Sequence, residues 1–309
     1  MMPEPGGGAE AGAGRRRRLL CLTAHPDDES FSPGASLARY ASEGVEVTVV
    51  CATRGQAGKP GDPPLCSRQE LPQVREAELR AACRELGVAR VYVLDYEDGR
   101  LDRIPAGHLE ADLAGWMERV DPDVVLTFPP GGISGHRDHQ VLSRAVERAF
   151  HQVLAPAGRA RLYYFTLPAA VYRLNGLGAP PHPLDAAVTT VVDARPWAGR
   201  KRAALARHRT QHRSVERAFG GFPPPPSPRL GWEFFYRAWP ALPPGLPPHP
   251  RAVAAAAEAP AEVREAVARA VEFGLFGGAA DRPDQGGVAG SDRAAARTAA
   301  NEGSGAGSS

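Results

Sequence analysis

Apolar residues in this chain come in short, nearly continuous runs. Leu19-Leu-Cys-Leu-Thr-Ala24, Val45-Glu-Val-Thr-Val-Val-Cys-Ala52, Val91-Tyr-Val-Leu94, Asp123-Val-Val-Leu-Thr-Phe128, Leu162-Tyr-Tyr-Phe-Thr166 and Val188-Thr-Thr-Val-Val192 stand between Gly, Pro and charged residues. Runs of this kind read as strands buried on both faces. Segments with helical spacing separate them. One opens at Pro33-Gly34-Ala35 and stops near Gly44; others cover Arg68–Leu86, His108–Val120, about His139–Leu154 and Pro196–Gln211. Glycine just past the last helical residue, as at Gly44 and Gly87, is the usual stop. Strands alternating with helices predict a Rossmann-like, three-layer α/β/α fold with a mostly parallel sheet. Polar loops at 25–29, 53–60, 95–100 and 129–139 then leave one edge of that sheet, the edge where open α/β sheets place ligands.

The pattern lapses at both ends. Residues 1–17 read as a disordered leader, 18–222 as the α/β domain, 223–276 as a Pro/Ala-rich extension and 277–309 as a disordered tail. Within the extension, Pro223–Pro226 and Pro243–Pro250 suggest extended surface stretches, and Arg251–Phe273 a helix.

Composition narrows the function classes. With 309 residues and 43% hydrophobic content, the chain can bury a sizeable core. A net charge of +2 gives no call for nucleic acid or an anionic membrane as partner, and the Arg15–Arg18 run reads as a solvated leader. No apolar run approaches the roughly 20 residues of a membrane span. Leu19–Ala24 is also too short for a signal peptide and runs straight into His-Pro-Asp-Asp. Cys21, Cys51, Cys66 and Cys83 form no C-x-x-C pair, so they are expected as free thiols of a cytoplasmic protein. Oligomeric state is left open, a homo-oligomer included.

The chemistry lies in two clusters. His25-Pro-Asp-Asp-Glu29 follows the first strand, and Gly135-His-Arg-Asp-His139 follows the fourth. Each alone reads as polar loop, and Asp-Asp before a helix also suits capping. Together, at two strand ends on one sheet edge, they favour a metal site. A hydrolytic zinc site has three protein ligands and an open position for water, whose pKa the metal lowers to about 7. His25 and Asp28 can supply two ligands from one tight loop, with the third from residues 136–139. The adjacent Asp27 is then free for proton transfer.

These two motifs as a pair resemble the LmbE-like, or PIG-L, zinc de-N-acetylases, which remove acetyl groups from N-acetylglucosaminyl compounds. The resemblance runs from about Arg18 to Gln211. It includes Thr53-Arg-Gly-Gln-Ala-Gly58, Arg75-Glu-Ala-Glu78, Leu94-Asp-Tyr-Glu-Asp-Gly99 and Lys201-x-x-Ala-Leu-x-x-His208-x-x-Gln211. It implies His25, Asp28 and His139 as ligands of Zn2+, with Fe2+ as the alternative. Asp27 matches the general base acting on the attacking water. His136 matches the group that stabilises the oxyanion and protonates the leaving amine, and Asp138 the partner that orients His136. Arg54 matches a sugar-hydroxyl contact, with Asp98 a second candidate. The implied partner is a small-molecule amino-sugar substrate.

Two positions depart from the family pattern: Arg137 replaces the usual Pro, and Gln56 the usual Glu. Leu65-Cys66, Glu70–Arg75 and the Phe128-Pro-Pro-Gly-Gly loop look most like enzymes acting on the glucosaminyl malate precursor of bacillithiol. Mycothiol-pathway deacetylases, thiol-conjugate amidases and antibiotic-tailoring deacetylases are the alternatives. A metal-binding regulatory protein without turnover is the non-enzyme reading, and Asp27 and His136 speak against it. Arg75 and Glu78 read as solvated helix charges. His208 and Gln211 read as structural or pocket-lining, and Trp116, Trp197, Trp232 and Trp239 as packing residues.

Overall fold

In the computed structural model, residues 15–277 are described; leader residues 1–14 and tail residues 278–309 lie outside them. The elements in chain order are β1 (Arg18–Thr23), α1 (Asp28–Phe31), α2 (Gly34–Ser42), β2 (Glu46–Thr53), α3 (Leu71–Leu86) and β3 (Arg90–Tyr96). There follow α4 (His108–Val120), β4 (Val124–Thr127), α5 (Gly132–Gly135), α6 (Arg137–Val153), β5 (Arg161–Thr166), α7 (Ala169–Leu174) and β6 (Thr190–Asp193). The last are α8 (Ala198–Leu205), α9 (His212–Phe219), β7 (Trp232–Trp239), α10 (Pro250–Ala255), α11 (Ala261–Arg269) and β8 (Glu272–Phe273).

The strands form one eight-stranded sheet in the order β3-β2-β1-β4-β5-β7-β6-β8. From β3 to β5 every pairing is parallel, while β7 runs antiparallel to both β5 and β6. The continuous apolar runs follow from this. Leu19, Leu20, Cys21 and Leu22 of β1 have no exposed surface, because helices cover both faces. Strand order steps from β1 through β2 to β3, then returns across β1 to β4 and β5. The right-handed crossover rule therefore sends α2 and α3 to one face and α4 and α6 to the other. α2, α3 and α8 pack together, as do α4 and α6. Order reverses between β1 and β4, the topological switch point at which such sheets bind ligands. The two metal-type motifs leave those two strands.

Arg15 and Arg16 are exposed, as expected of a solvated run, and make surface hydrogen bonds: Arg15 donates to Asp123 and to the Asp121 carbonyl, and Arg16 to the Gly44 carbonyl. Several expected boundaries move. The helix expected over Pro196–Gln211 is α8 flanked by 3-10 turns, and Arg251–Phe273 breaks at Pro260 into α10 and α11 before ending in β8. Residue 222 does not end the sheet. Trp232–Trp239, between the two Pro-rich stretches, is β7 and sits inside it. Trp232 and Phe234 share a face and pack under Ala252, Val263 and Val267 of α10 and α11.

Candidate active site

β1 ends at Thr23, and the chain turns at once through His25-Pro-Asp-Asp. Asp27 adopts φ 137°, a conformation that L side chains rarely take. Neighbouring groups hold it there. Its N–H donates to Glu29 Oε2 (3.0 Å), and its carboxylate meets the Arg75 guanidinium (3.3 Å). Asp28 opens α1, and its Oδ2 accepts the backbone N–H of Ala24 (3.2 Å) and His25 (2.8 Å). From the other side of the switch point, α6 presents Asp138 and His139 in its first turn, with His136 as N-cap.

The sequence-predicted ligands come together. His25 Nδ1 lies 3.1 Å from His139 Nε2, and carboxylate oxygens of Asp28 lie 3.6 Å from the former and 3.5 Å from the latter. The outward nitrogens decide what these inward ones are. His139 Nδ1 faces the Gly132 carbonyl (3.0 Å), an acceptor only, so it carries the ring proton. His25 Nε2 faces the carboxylates of Asp98 (2.9 Å) and Asp138 (3.2 Å) and must likewise be protonated. With a metal bound, both inward nitrogens would offer lone pairs to the same point as the Asp28 carboxylate. Three acceptors meeting at 3–4 Å repel unless positive charge lies between them, and outer acceptors of this kind normally hold metal-binding histidines in place. The donor set fits a divalent metal. Burial opposes charge on His25, yet Asp138 and Asp98 raise its pKa to about 10, so without a metal the ring is cationic, its Nδ1 proton directed at His139 Nε2, and a bound metal would replace that proton. Burial and the charge on His25 hold His139 well below its ordinary value.

His136 stands beside the pair at the cavity surface, its ring 4.8 Å from that of His139 and 4.7 Å from that of His25. A nitrogen of each of the three rings lies within 4.8 Å of the others. His136 Nδ1 accepts the Asp138 N–H (3.2 Å), which leaves Nε2 as the protonated donor. Asp138 departs from expectation. Its carboxylate goes to His25 and to the backbone N–H groups of Gly99 (2.7 Å) and Leu101 (3.2 Å), and only its own N–H touches His136. Fully buried, its carboxylate holds the His25 ring rather than the His136 side chain.

Asp98 lines the cavity and binds His25 and the Ala57 N–H. Arg54 does not line it; its guanidinium turns away to Glu76 and Asp95. The arginine that does reach the site is Arg75, buried rather than solvated, donating to the carbonyls of Gly55 (2.8 Å) and Pro26 (2.6 Å). A Cβ on Gly55 would sit 2.2 Å from that guanidinium, which explains Gly55 and Gly58 in the loop after β2. Glu78 is also buried, accepting from Thr210. Burial raises the pKa of Asp27 to about 6, Arg75 pulling it down and Asp28 pushing it up. Because Arg54 lies off the cavity, Arg54→Ala should change kcat/KM less than about threefold and stability by about 0–1 kcal/mol. Steady-state kinetics and urea unfolding check both.

Glu29 and His208 form a pair with no exposed surface, Oε1 to Nε2 at 2.8 Å, with Ser30 on the same oxygen. Burial pushes Glu29 up, but His208, Ser30 and the Asp27 N–H outweigh it and lower its pKa. Burial pushes His208 down, and Glu29 raises it overall. Glu29 therefore contributes above its unfolded pKa of about 4.3 and is lost as pH falls through its lowered value. His208 contributes below about 6.5 and is lost as pH rises through its raised value. Glu29→Ala should cost about 3–5 kcal/mol at pH 5–6. That difference should shrink toward both extremes in urea unfolding measured across pH.

One group escaped the sequence reading. Buried Asp185 accepts the N–H of Gly131 (2.9 Å) and of Ile133 (3.2 Å), fixing the loop whose Gly132 carbonyl holds His139. Ile133 is held at φ 64°, ψ −61°, with its carbonyl on the Tyr172 hydroxyl. Gly131-Gly132 was the available signal, since a Cβ on Gly131 would meet Asp185 at 2.2 Å.

Residues 20–150 match the family model described as PIG-L, GlcNAc-PI de-N-acetylase. A 1D-myo-inositol 2-acetamido-2-deoxy-alpha-D-glucopyranoside deacetylase of Tsukamurella paurometabola is 34% identical over 247 residues, covering 63% of this chain and 83% of the relative. The chain belongs to the PIG-L family. A probable N-acetyl-alpha-D-glucosaminyl L-malate deacetylase 2 of Bacillus anthracis is 32% identical over 48% of this chain and 65% of its own. Among solved structures, the N,N'-diacetylchitobiose deacetylase of Pyrococcus horikoshii superposes with a TM-score of 0.52 at 20% identity, over 72% of this chain and 84% of its own, a likeness of fold. In this PIG-L protein both histidine motifs fall inside the matched region, and β6, β7 and the segment after them fall outside it.

Proposed function

We propose that this PIG-L protein is a metal-dependent hydrolase that removes the N-acetyl group from an N-acetylglucosaminyl conjugate. The observation that carries the reading is the meeting of His25 Nδ1, His139 Nε2 and the Asp28 carboxylate beside Asp27, which is outside that set and paired with Arg75, and a protonated His136 Nε2. A divalent metal held by His25, Asp28 and His139 supplies Lewis-acid polarisation and a more acidic water. Zn2+ suits the two-histidine, one-carboxylate set, with Fe2+ the alternative.

The chain's own residues do the rest. Asp27, kept ionised by Arg75, takes a proton from the attacking water as oxygen adds to the acetamide carbon. His136 Nε2–H faces the oxyanion that develops there. The C–N bond then breaks, acetate leaves, and the proton passes to the amine. Asp98 and Asp138 hold the His25 ring, and the Gly132 carbonyl holds that of His139, so neither reorients during the cycle. The relatives act on inositol and malate conjugates, and the sugar end is common to both. We assign the enzyme to the cytoplasm, in keeping with its four unpaired cysteines. Among described residues no helix is long and apolar enough to cross a membrane.

The test is acetate release from N-acetylglucosaminyl inositol, N-acetylglucosaminyl malate and simple N-acetylglucosaminides by metal-loaded protein. Release from at least one is expected. One bound metal per chain with no release from any would leave the regulatory reading standing.

A further inference from the structure

The cavity over the metal-type residues does not end at a sugar's width. It encloses about 540 Å³, within the range that buries a drug-sized ligand. From His25, Asp98 and His136 it continues over residues well outside the matched region. One wall of this continuation is Phe31, Phe219 and Leu230, where the Phe31 and Phe219 rings lie 5.4 Å apart beside the small cluster of Leu205 and Val215. The other is Val171, Phe234 and Val263, part of the cluster under α10 and α11.

Polar groups along this arm are mostly engaged elsewhere. Lys201 and Glu233 bond each other at 2.6 Å, and Glu233 also caps the start of α2 through the N–H groups of Ala35 and Ser36. Gln211 donates its amide to the Lys59 carbonyl and Thr210. Asn175 and Ser214 are small and uncharged, and Arg217 stands at the exposed rim. The buried Thr166 hydroxyl and Trp232 indole N–H also line the cavity without a partner, two neutral groups too few to match the oxygens of a polyol or the charges of a dicarboxylate. Separately, two large apolar side chains are exposed on and just after α7: Leu174 at 56% and Leu177, which also lines the cavity, at 38%. Exposed apolar surface continuous with an apolar cavity marks a binding surface.

We infer that the group attached to the sugar of the natural substrate is apolar, an alkyl, acyl or aryl aglycone that lies between the Phe219 and Phe234 walls. The inference rests on the de-N-acetylase reading and adds to it the chemical class of the aglycone. It makes the C-terminal segment, and β7 in particular, the specificity element of this chain.

Metal-loaded protein is assayed for acetate release from octyl and from methyl N-acetylglucosaminide below micelle-forming concentration. Binding of the two corresponding free amines is measured by calorimetry on the Asp27→Asn protein. The expected result is a kcat/KM at least tenfold higher, and a Kd at least tenfold lower, for the octyl compounds, seven buried methylenes being ample for that factor. Leu177→Ser combined with Phe219→Ser should bring both ratios toward one; Leu177 is exposed and Phe219 only partly buried, and thermal unfolding checks that the variant folds. Equal turnover of octyl and methyl compounds, or a ratio untouched by the double variant, overturns the apolar aglycone and leaves the deacetylase reading intact. Tighter octyl binding with no turnover of either compound sustains the apolar site and counts against the deacetylase reading instead.

Discussion

Asp27→Asn should keep one metal per chain and lose about 10²–10⁴-fold in kcat. The two halves of this result have separate causes. The Asp27 carboxylate is paired with Arg75 and is not among the groups that converge with His25 Nδ1 and His139 Nε2, so the ligand set survives its loss. The amide side chain cannot accept a proton from water, so base catalysis goes. Asparagine is preferred to alanine because residue 27 sits at φ 137°, and Asn tolerates positive φ better than other non-glycine residues. KM should move little. Metal analysis with steady-state kinetics checks the pair, and full activity in the metal-replete variant would rule out Asp27 as the base.

His139→Ala should lose both metal and activity, and added metal should not restore turnover. Three groups converge on the proposed metal position, and His139 supplies one of its two nitrogens. Its removal also leaves the Gly132 carbonyl without the Nδ1 donor and the Phe128 ring without its stacked neighbour at 3.8 Å. A buried acceptor stripped of its donor costs about 1–3 kcal/mol, so the loop set by Asp185 should loosen as well. Metal content after dialysis reads the first effect and thermal unfolding the second. Retention of a full metal equivalent would mean that the ion is held elsewhere, with His25, Asp98 and Asp138 the next set to test.

The sheet edge was readable because β1 and β4 are buried on both faces, so they appear as unbroken apolar runs with polar residues immediately beyond. That placed His25, Asp28 and His139 on one edge before any contact was known. Partners that depend on long-range contact were not readable. Arg75 looks like any charged residue on a helix; only the passage of its side chain past Gly55 to Asp27 makes it part of the site. The Asp138 carboxylate is within two residues of His136 in sequence, but its acceptor geometry is satisfied by Gly99, Leu101 and His25. β7 was hidden for a different reason. The flanking prolines suggested surface coil, whereas they bound a single aromatic strand that the sheet itself demands between β5 and β6.

That strand also dictates an order of events as the polypeptide leaves the ribosome. All residues of the metal-type cluster have emerged by His139, and the parallel half of the sheet can close once β5 is out. β5 then presents a bare backbone edge until Trp239 follows some seventy residues later, and β6, though made earlier, has nothing to pair with in the meantime. An unpaired central edge invites pairing with another nascent chain. The Pro-rich stretch before β7, a poor strand former, separates that exposed edge from its eventual partner during synthesis.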